Sequence, residues 1–352
     1  MASDRIDLSL DSPGCIPSGP ISTQSVSSSQ SSAIADALEG TFEDTHVVAV
    51  AELSHEEFTQ RIEEFPQVRR SLKRKHSAED TATTIDEGAW YHAEEHLQEV
   101  INFIQNYTGP RDLHMIDLFS ASEQGFDTFV RAGFRAQSYD ITNDEQDDVT
   151  TKEGFYRLLR YLLELVPGGV VLAGPPCSLY VFLSSSVHRR TIARPLGNTD
   201  HTKVRLSNLI VSNMCVAMKN VLQRGIKIII EQPKSSMMFA HLAMTMLQSG
   251  PQQTWLHVHT FMGKFGHPMP KPTVLVTNLK QARLLARDMR QNDMRRLRAA
   301  AVEDQKVFTR RTPAGVAGGR NLHESSKYTR PFCEAAPAAW ERYFRMIDHA
   351  AS

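Results

Sequence analysis

The stretch Val170-Val171-Leu172-Ala173-Gly174-Pro175-Pro176-Cys177 decides the fold class. It joins an apolar run to a stiff turn that ends in a single thiol. Two successive prolines cannot continue a central strand, because proline lacks the N–H group that pairs with a neighbouring strand. The run therefore predicts a buried strand that stops at Ala173. Ligands of open α/β sheets bind at the carboxyl ends of strands, so we expect Cys177 at such an edge.

Strand and helix patterns alternate on both sides of this stretch. An amphipathic helix is expected over residues 90–104. Strands are predicted at residues 115–119, 136–141, 170–173, 226–230, 255–259 and 274–277, and helices at 126–132, 154–165 and 204–222. This alternation predicts an α/β fold with a doubly wound, mainly parallel sheet.

Composition divides the 352 residues into four parts. Residues 1–88 are rich in Ser, Gly, Pro and acidic residues, and we predict that they are largely disordered. Residues 89–279 carry the alternating pattern and form the predicted catalytic domain. Residues 280–330 are basic, with 13 Lys and Arg against 5 Asp and Glu. Residues 331–352 are expected to pack on the catalytic domain through a helix over residues 337–347, with Trp340 in the core.

Charge and cysteine content narrow the class of protein. Residues 1–110 contain 7 Lys and Arg against 19 Asp and Glu, so only the rest of the chain has the basic character of a nucleic-acid-binding protein. No apolar run has the length of a membrane span, and the start lacks a secretory signal, which predicts a soluble intracellular protein without membrane contact. The basic cluster at residues 69–75 indicates either nuclear import or a solvated surface run. The 4 scattered cysteines predict neither a metal site nor a disulfide framework.

Four chemically active side chains follow four different predicted strands: Asp117, Asp140, Cys177 and Glu231. The turn between Asp117 and Gly125 leaves backbone N–H groups free beside a carboxylate, which suits a nucleotide-like cofactor. Asp140 stands where an acid commonly binds ribose hydroxyls. Asp148 is a candidate for an adenine amino group, or equally an acid favoured at a helix start.

Cys177 and Glu231 are the candidate catalytic pair. A thiol must ionise in order to attack, and His188, Arg189 and Arg190 are cations close in sequence that would favour the thiolate. Glu231 follows a buried strand, and burial favours the protonated carboxyl group that a proton donor needs.

In this order and setting the residues resemble the cytosine-5 nucleic-acid methyltransferases, whose fold is the class I, Rossmann-like fold of enzymes that use S-adenosylmethionine. The resemblance covers residues 113–277 and includes the nucleophile loop at residues 174–177. It implies that S-adenosylmethionine is the cofactor. It also implies a set of cofactor-binding residues: Asp117, Phe119, Ser120, Gly125, Asp140, Ile141, Asp148 and Pro175.

The mechanism implied by the resemblance is addition of Cys177 to C6 of a flipped-out cytosine, with Glu231 binding or protonating N3. The sequence departs from the family pattern at four places, one of which is the absence of the family's Gln-x-Arg-x-Arg motif. Residues 121–124 replace the first glycines of the cofactor loop, Ser178 follows the cysteine where Gln is usual, and Gln232-Pro233 follows the glutamate in place of Asn-Val. The alternative is therefore a catalytically degenerate module of the same fold that binds nucleic acid or a protein partner.

Nucleic acid is the predicted partner, with DNA favoured over RNA. In the basic segment, Arg283, Arg287, Arg290 and Arg298 recur at helix-like intervals and could bind phosphates, or could form a solvated helical face. Lys271 stands nearest to the family's target-binding cations, and Arg189 and Arg190 follow the nucleophile loop. The sequence identifies no protein partner, and a monomer is the starting hypothesis.

Overall fold

The computed structural model describes residues 87, 90–120, 122–249, 254–306, 308–312, 315–319, 321 and 327–351. Apart from Glu87, the region predicted to be disordered, residues 1–88, lies outside the described residues. The basic cluster at residues 69–75 lies outside them as well.

The described chain alternates strands and helices, as predicted. The strands are β1 Leu113–Leu118, β2 Ala136–Tyr139, β3 Leu165–Ala173, β4 Lys227–Pro233, β5 Leu256–Phe261, β6 Pro272–Thr277, β7 Thr309–Thr312 and β8 Gly315–Gly318. The α-helices are α1 Leu97–Gln105, α2 Gln124–Arg131, α3 Lys152–Glu164, α4 Ser185–His188, α5 Thr202–Val221, α6 Leu242–Gln248, α7 Gln291–Glu303 and α8 Arg330–Ala351. No helix in this part of the chain combines the length and the apolar character needed to cross a membrane.

Six strands form one mixed sheet in the order β2-β1-β3-β4-β6-β5. Strands β1 to β4 pair in parallel, whereas β6 is antiparallel to both of its neighbours, β4 and β5. The prediction of an α/β sheet is thereby confirmed, and five of the six strands point the same way. From β1 the chain first adds β2 on one side and then returns to add β3 on the other. The strand order therefore reverses between β1 and β3.

Helices cover both faces of the sheet because successive side chains of a strand point to opposite faces. Ile116 belongs to an apolar cluster that includes side chains of α3 and α5. Its neighbour Met115 belongs to a second cluster, which includes side chains of α2 and α8. The rings of Phe129 and Trp340 lie 4.8 Å apart in that second cluster, so the C-terminal helix is part of the core, as expected for Trp340.

The C-terminal helix begins earlier than predicted. Proline is favoured in the first turn of a helix, which suggested a start at Pro337. Instead α8 begins at Arg330, and Pro337 lies within it. The reason is tertiary, since Phe332 and Ala336 are buried at helical spacing with Trp340 and extend the apolar face towards the N-terminus.

The basic segment does not form the single helical stripe that was predicted. Arg283 lies in a 3-10 helix at Lys280–Leu285, Arg287 and Arg290 lie in the link that follows, and only Arg298 lies in α7. Two buried apolar side chains hold this stretch against the core: Leu285 and Met289. The packing of these anchors divides the run into short pieces, which local arginine spacing does not reveal.

Asn213 joins the start of the domain to its core, and its loss is expected to destabilise the fold. Its amide donates to the carbonyl oxygens of Tyr91 at 2.7 Å and Val149 at 2.8 Å and accepts from the N–H of Ala93 at 3.1 Å, and the side chain is fully buried. Asn213→Ala should lower the free energy of unfolding in urea by about 3 kcal/mol, because three backbone groups lose their partners. Asn220→Ala, on the same helix, should cost less than about 1 kcal/mol. Equal losses of unfolding free energy in the two variants would contradict the role of Asn213 in joining the start of the domain to its core.

Candidate active site

Four predicted site residues lie at the carboxyl ends of adjacent parallel strands. Across the sheet their order is Asp140 after β2, Asp117 in β1, Cys177 after β3 and Glu231 in β4. The sequence suggested that Glu231 closes its strand, whereas β4 continues to Pro233 because β6 pairs with it there. Ala173 pairs with Ile230, so Glu231 is the first β4 residue beyond the end of β3.

Asp117 is a fully buried carboxyl group at the reversal of strand order. Its Oδ2 accepts a hydrogen bond from the N–H of Phe126 at 2.9 Å, whereas its Oδ1 has no hydrogen-bond partner among the described residues. Burial raises the pKa of Asp117 to about 7, and the nearby Asp140 and Glu123 act in the same direction. Gly125 packs directly against this carboxyl group, and a Cβ there would overlap it. The predicted need for glycine at position 125 therefore has a steric reason.

The turn between β1 and α2 holds an unusual backbone conformation without the family's glycines. Phe119 and Glu123 both have left-handed φ values, +61° and +54°, which non-glycine residues adopt at a cost. Ser122 Oγ and Gln124 Oε1 are buried and have no hydrogen-bond partner among the described residues. Strained backbone and unpaired polar atoms gather at binding sites more often than elsewhere. The β1–α2 turn therefore combines left-handed backbone with buried polar side chains that have no hydrogen-bond partner among the described residues.

Ser120 and Ile141 have different environments beside this turn. The hydroxyl of Ser120 is buried and lies 3.0 Å from the hydroxyl of Ser138, so it helps to join β1 to β2. Ile141 is 50% exposed directly after Asp140. It therefore offers an apolar surface beside the acid that was predicted to bind ribose.

Asp140 and Asp148, the two acids predicted to bind the cofactor after β2, both accept hydrogen bonds from neighbouring threonines. Asp140 Oδ1 accepts from the N–H and the hydroxyl of Thr142, at 2.8 and 2.6 Å. Asp148 Oδ1 accepts in the same way from Thr150, so its carboxylate organises the turn before α3. Asp148 lies before Thr151, the N-cap of α3, and the acid in the first turn of that helix is Glu153. The predicted contact of Asp148 with an adenine amino group stays a prediction. The buried acid that contacts Asp140 is Asp147, whose Oδ2 accepts from the Asp140 N–H at 3.1 Å.

Cys177, Glu231 and Lys271 form one electrostatic group. Lys271 Nζ lies 3.6 Å from Glu231 Oε1, and both side chains are largely buried. Burial, followed by the charge of Glu231, raises the pKa of the Cys177 thiol, whereas Lys271 opposes this shift. Lys271 also has a left-handed φ of +38°. The sequence had placed Lys271 among nucleic-acid contacts, but the structure places its ammonium group beside the candidate catalytic pair.

The cations that follow Cys177 in sequence do not supply the charge that was expected of them. His188 is buried, with its ring nitrogens near Val181 O at 3.0 Å and the Arg190 N–H at 2.9 Å. Arg190 is buried over the ring of Tyr180, at 4.0 Å from the ring centroid. The assignment of Arg190 to phosphate binding was therefore wrong, because its guanidinium group is already occupied. Arg189 is exposed, with a left-handed φ of +48°.

The guanidinium group of Arg190 braces the loop after Cys177. It donates to the carbonyl oxygens of Leu179 at 2.9 Å and Pro195 at 2.6 Å within the loop. It also donates to Asn208 Oδ1 and Ser207 Oγ of α5, both at 2.7 Å. These bonds fasten the candidate nucleophile loop to the longest helix that packs on its face of the sheet.

Arg190→Ala is accordingly expected to loosen the loop, whereas Arg189→Ala is not. Loss of several charge-assisted hydrogen bonds should raise amide hydrogen exchange across residues 178–200 by about tenfold or more. Arg189→Ala should leave exchange unchanged and, if DNA contacts this side chain, reduce the salt dependence of DNA binding by about one counterion. Hydrogen-exchange mass spectrometry and binding isotherms at several salt concentrations measure the two effects. Unchanged exchange in Arg190→Ala would contradict the bracing role.

Gln232, a departure from the family pattern, supports the nucleophile loop from the other side. Its Nε2 donates to the carbonyl oxygen of Pro175 at 2.6 Å, and its Oε1 accepts from Ser236 Oγ at 2.9 Å. The residue after Glu231 therefore connects β4 directly to the turn that carries Cys177. Sequence reasoning missed this role because the contact joins residues 57 positions apart.

Tyr328 is a site residue that the sequence did not reveal. It precedes α8, yet its hydroxyl group lies so close to Gly174 that an alanine Cβ there would be 2.5 Å from it. The hydroxyl is buried and has no hydrogen-bond partner among the described residues. Glu231, Asp117 and Cys177 are among the groups that, after burial, raise the pKa of Tyr328. No local motif marks this tyrosine, which reaches the site only through the packing of α8.

The predicted phosphate-binding arginines of the basic segment lie at the surface. Arg283, Arg287 and Arg290 are all exposed. Arg287 is held in place, since it lies over the ring of Phe265 at 5.3 Å and donates to the carbonyl oxygens of Leu284 and Ala286. The structure thus brings Asp117, Cys177, Glu231 and Lys271 together. It leaves Arg283, Arg287 and Arg290 at the surface.

Two open surface cavities lie away from this edge of the sheet. Their volumes are about 530 and 500 Å³, and both are lined by Phe103 of α1 and Arg160 of α3. Ion pairs and aromatic contacts occupy the polar groups of α3 nearby, including Arg157 with Asp144 and Asp147. These cavities contain none of the predicted site residues.

No protein-family model matches the chain, and the search of curated proteins found no significant match to it.

Proposed function

We propose that the chain is an S-adenosylmethionine-dependent cytosine-5 methyltransferase that acts on DNA rather than RNA, with a class I methyltransferase, Rossmann-like catalytic domain. One observation carries the proposal: Cys177 and Glu231 occupy the ends of neighbouring parallel strands and share Lys271 as an electrostatic neighbour. A nucleophile and a carboxyl group so arranged suit attack on a ring carbon with proton transfer to a ring nitrogen.

The edge next to this pair has the chemistry to bind the methyl donor. The strand order reverses between β1 and β3, and open α/β sheets bind their ligands at such a reversal. Asp117 Oδ1, Ser122 Oγ and Gln124 Oε1 are buried acceptors without partners among the described residues, which a positively charged ligand would satisfy. Ile141 offers an apolar surface for the adenine ring, and Asp140 an acceptor for ribose hydroxyls. When bound, S-adenosylmethionine supplies an electrophilic methyl group.

Cys177 and Glu231 would divide the chemistry of the base between them. The Cys177 thiolate would form a bond to C6 of an extruded cytosine while a protonated Glu231 carboxyl group hydrogen-bonds to N3 or protonates it. C5 would then be nucleophilic, and its methylation by the bound donor would leave S-adenosylhomocysteine. Loss of the C5 proton to water would break the S–C6 bond and free the thiolate, and the N3 proton would return to Glu231. Extrusion is necessary because a thiol cannot reach C6 within a stacked duplex.

Lys271 would balance the charges of this pair. Burial, followed by the charge of Glu231, raises the pKa of Cys177 and so disfavours the thiolate. The ammonium group of Lys271 acts in the opposite direction and would favour the thiolate that attacks C6. The binding of a cationic methyl donor beside Asp117 would add positive charge to the same region.

The exposed arginines support nucleic acid as the partner. Arg283, Arg287 and Arg290 line the stretch after β6, and Arg189 lies in the loop after Cys177. Phosphate contacts by such side chains position a nucleic acid without reading its sequence.

A second candidate function is a degenerate module of the same fold that binds nucleic acid or a protein without catalysis. The raised pKa of the Cys177 thiol favours it, because a neutral thiol is a poor nucleophile. The loss of the family's glycines at residues 121–124 favours it as well.

A trapping experiment tests the proposal. The full-length chain is incubated with a pool of random oligonucleotides that contain 5-fluorocytosine, as DNA or as RNA, with and without S-adenosylmethionine. The expected result is a complex with DNA that survives denaturing electrophoresis, requires the methyl donor and maps by mass spectrometry to the peptide of Cys177. Oligonucleotide binding without any adduct would support the degenerate module, and a donor-dependent adduct with RNA alone would overturn the DNA assignment.

A further inference from the structure

The hydroxyl group of Tyr328 lies in the crevice where the strand order reverses. Gly174 follows β3, and its N–H donates to the carbonyl oxygen of Leu118 in β1 at 3.0 Å. A Cβ built on Gly174 would lie 2.5 Å from the Tyr328 hydroxyl and 3.6 Å from the carbonyl oxygen of Phe119. The phenol oxygen therefore lies beside Gly174, the residue that follows β3 and is hydrogen-bonded to β1.

Packing accounts for the ring of Tyr328 but not for its hydroxyl group. The ring lies 5.3 Å from the ring of Phe332 and belongs to the apolar cluster under α8. The hydroxyl is enclosed there without a hydrogen-bond partner in the described part of the chain. A buried polar group without a partner costs free energy that a phenylalanine would not. Such a group is explained if a ligand supplies its partner.

The charges around the hydroxyl indicate which ligand group it serves. Burial, followed by the charges of Glu231 and Asp117, raises the pKa of Tyr328, so its hydroxyl keeps its proton and can donate a hydrogen bond. Asp117 Oδ1 is buried without a hydrogen-bond partner among the described residues, whereas Glu231 Oε1 lies 3.6 Å from Lys271 Nζ. An ionised Asp117 can only accept hydrogen bonds, so it suits a cationic group of a ligand. A ligand that also has a carboxylate needs a donor there, and a phenol can provide one. S-adenosylmethionine contains a sulfonium, an ammonium and a carboxylate group.

We propose that Tyr328 is a binding residue for the methyl donor, and that its hydroxyl group donates a hydrogen bond to the donor's carboxylate. This inference rests on the proposed function, because it takes S-adenosylmethionine as the ligand. Because Tyr328 precedes α8, its hydrogen bond would add a contact from a different part of the chain to those proposed at the ends of the strands.

Tyr328→Phe tests the inference, because it removes the hydroxyl and keeps the ring. Titration calorimetry of the full-length protein with S-adenosylmethionine, and with S-adenosylhomocysteine, should give a Kd about tenfold or more above that of the wild type. The urea midpoint of the free protein should stay the same or rise, because no hydrogen bond is lost in the unliganded state. A residue that only stabilises the fold would not produce this combination.

Tyr180→Phe is the matched control. Tyr180 is also buried, but its hydroxyl donates to the carbonyl oxygen of Ser207 at 3.0 Å. Its removal should lower the urea midpoint and leave the Kd of the methyl donor unchanged.

Two outcomes would overturn the inference, and they differ in what else they affect. If Tyr328→Phe binds both ligands as tightly as the wild type, Tyr328 has no part in donor binding, while the proposed function stands. If the wild-type protein binds neither ligand, both the inference and the proposed function fail.

Discussion

Replacement of Cys177 by alanine is expected to lower methyl transfer to DNA by about 10³-fold or more. The reason is that Cys177 would form the bond that activates the base, and neither of the other two thiols among the described residues can take its place. Cys215 and Cys333 are buried in the apolar clusters on the two faces of the sheet. Transfer of a labelled methyl group to DNA measures the effect, and the trapped adduct should disappear in parallel.

The same variant should still bind the methyl donor, since the acceptors proposed to hold the donor are Asp117 and the side chains of the β1–α2 turn rather than the Cys177 thiol. Cys215→Ala is the matched control. Its sulfur lies 3.5 Å from that of Met244 in the core, so its loss should lower stability without changing turnover per folded molecule. Full activity in Cys177→Ala would exclude the nucleophilic role, whereas equal losses in both variants would indicate a folding defect.

Replacement of Asp117 by asparagine is expected to stabilise the free protein at neutral and alkaline pH while it weakens donor binding. The pKa of Asp117 is about 7 in the folded chain because the carboxyl group is buried, against about 3.9 in an unfolded chain. A raised pKa means that the folded state holds its proton more tightly. The contribution of this group to stability is therefore full below about pH 4 and is lost as the pH rises towards 7.

The size of the effect follows from the difference between the two pKa values. Three pKa units correspond to about 4 kcal/mol, which the wild type would lose between pH 4 and pH 8 and the neutral asparagine would not. Urea unfolding at the two pH values should show that the stability difference between Asp117→Asn and the wild type grows by roughly this amount. The Kd of S-adenosylmethionine should rise at least about tenfold, because a carboxylate beside a cation is lost.

Asp127→Asn is the control for this experiment. Asp127 lies in α2 only two residues beyond Gly125, but its side chain is exposed. Its replacement should change stability by less than about 0.5 kcal/mol at either pH. If Asp117→Asn is less stable than the wild type at pH 8, the ionised carboxylate is stabilised in the free protein and the proposed ligand site is wrong.

The sheet was predictable because its signals are local. Most predicted strands are short apolar runs, such as residues 170–173 or 226–230, bounded by turn residues, and each predicted strand corresponds to a strand of the structure. The chemistry at the strand ends was predictable for the same reason. Asp117 and Glu231 follow apolar residues directly and Cys177 follows its run after a short turn, and parallel strands bring such positions to one edge. Their roles in catalysis remain predictions.

Contacts between distant segments could not be predicted in this way. Arg190 was assigned to phosphate because it is a cation near Cys177, but its guanidinium group binds α5 and the loop carbonyl groups. Lys271 was assigned to nucleic acid, and its ammonium group lies beside Glu231. In both cases the partner lies many residues away, and charge in a sequence does not say which partner a side chain will meet.

What the sequence determined by itself is the order of the strands and helices along the chain and the residue that follows each strand, because apolar periodicity and turn residues act over a few positions. Three features depend on tertiary structure: the position of β6 between β4 and β5, the hydrogen bonds by which Arg190 holds the nucleophile loop, and the position of the Tyr328 hydroxyl beside Gly174. These features depend on how buried surfaces of distant segments pack together, and that packing is a property of the whole chain.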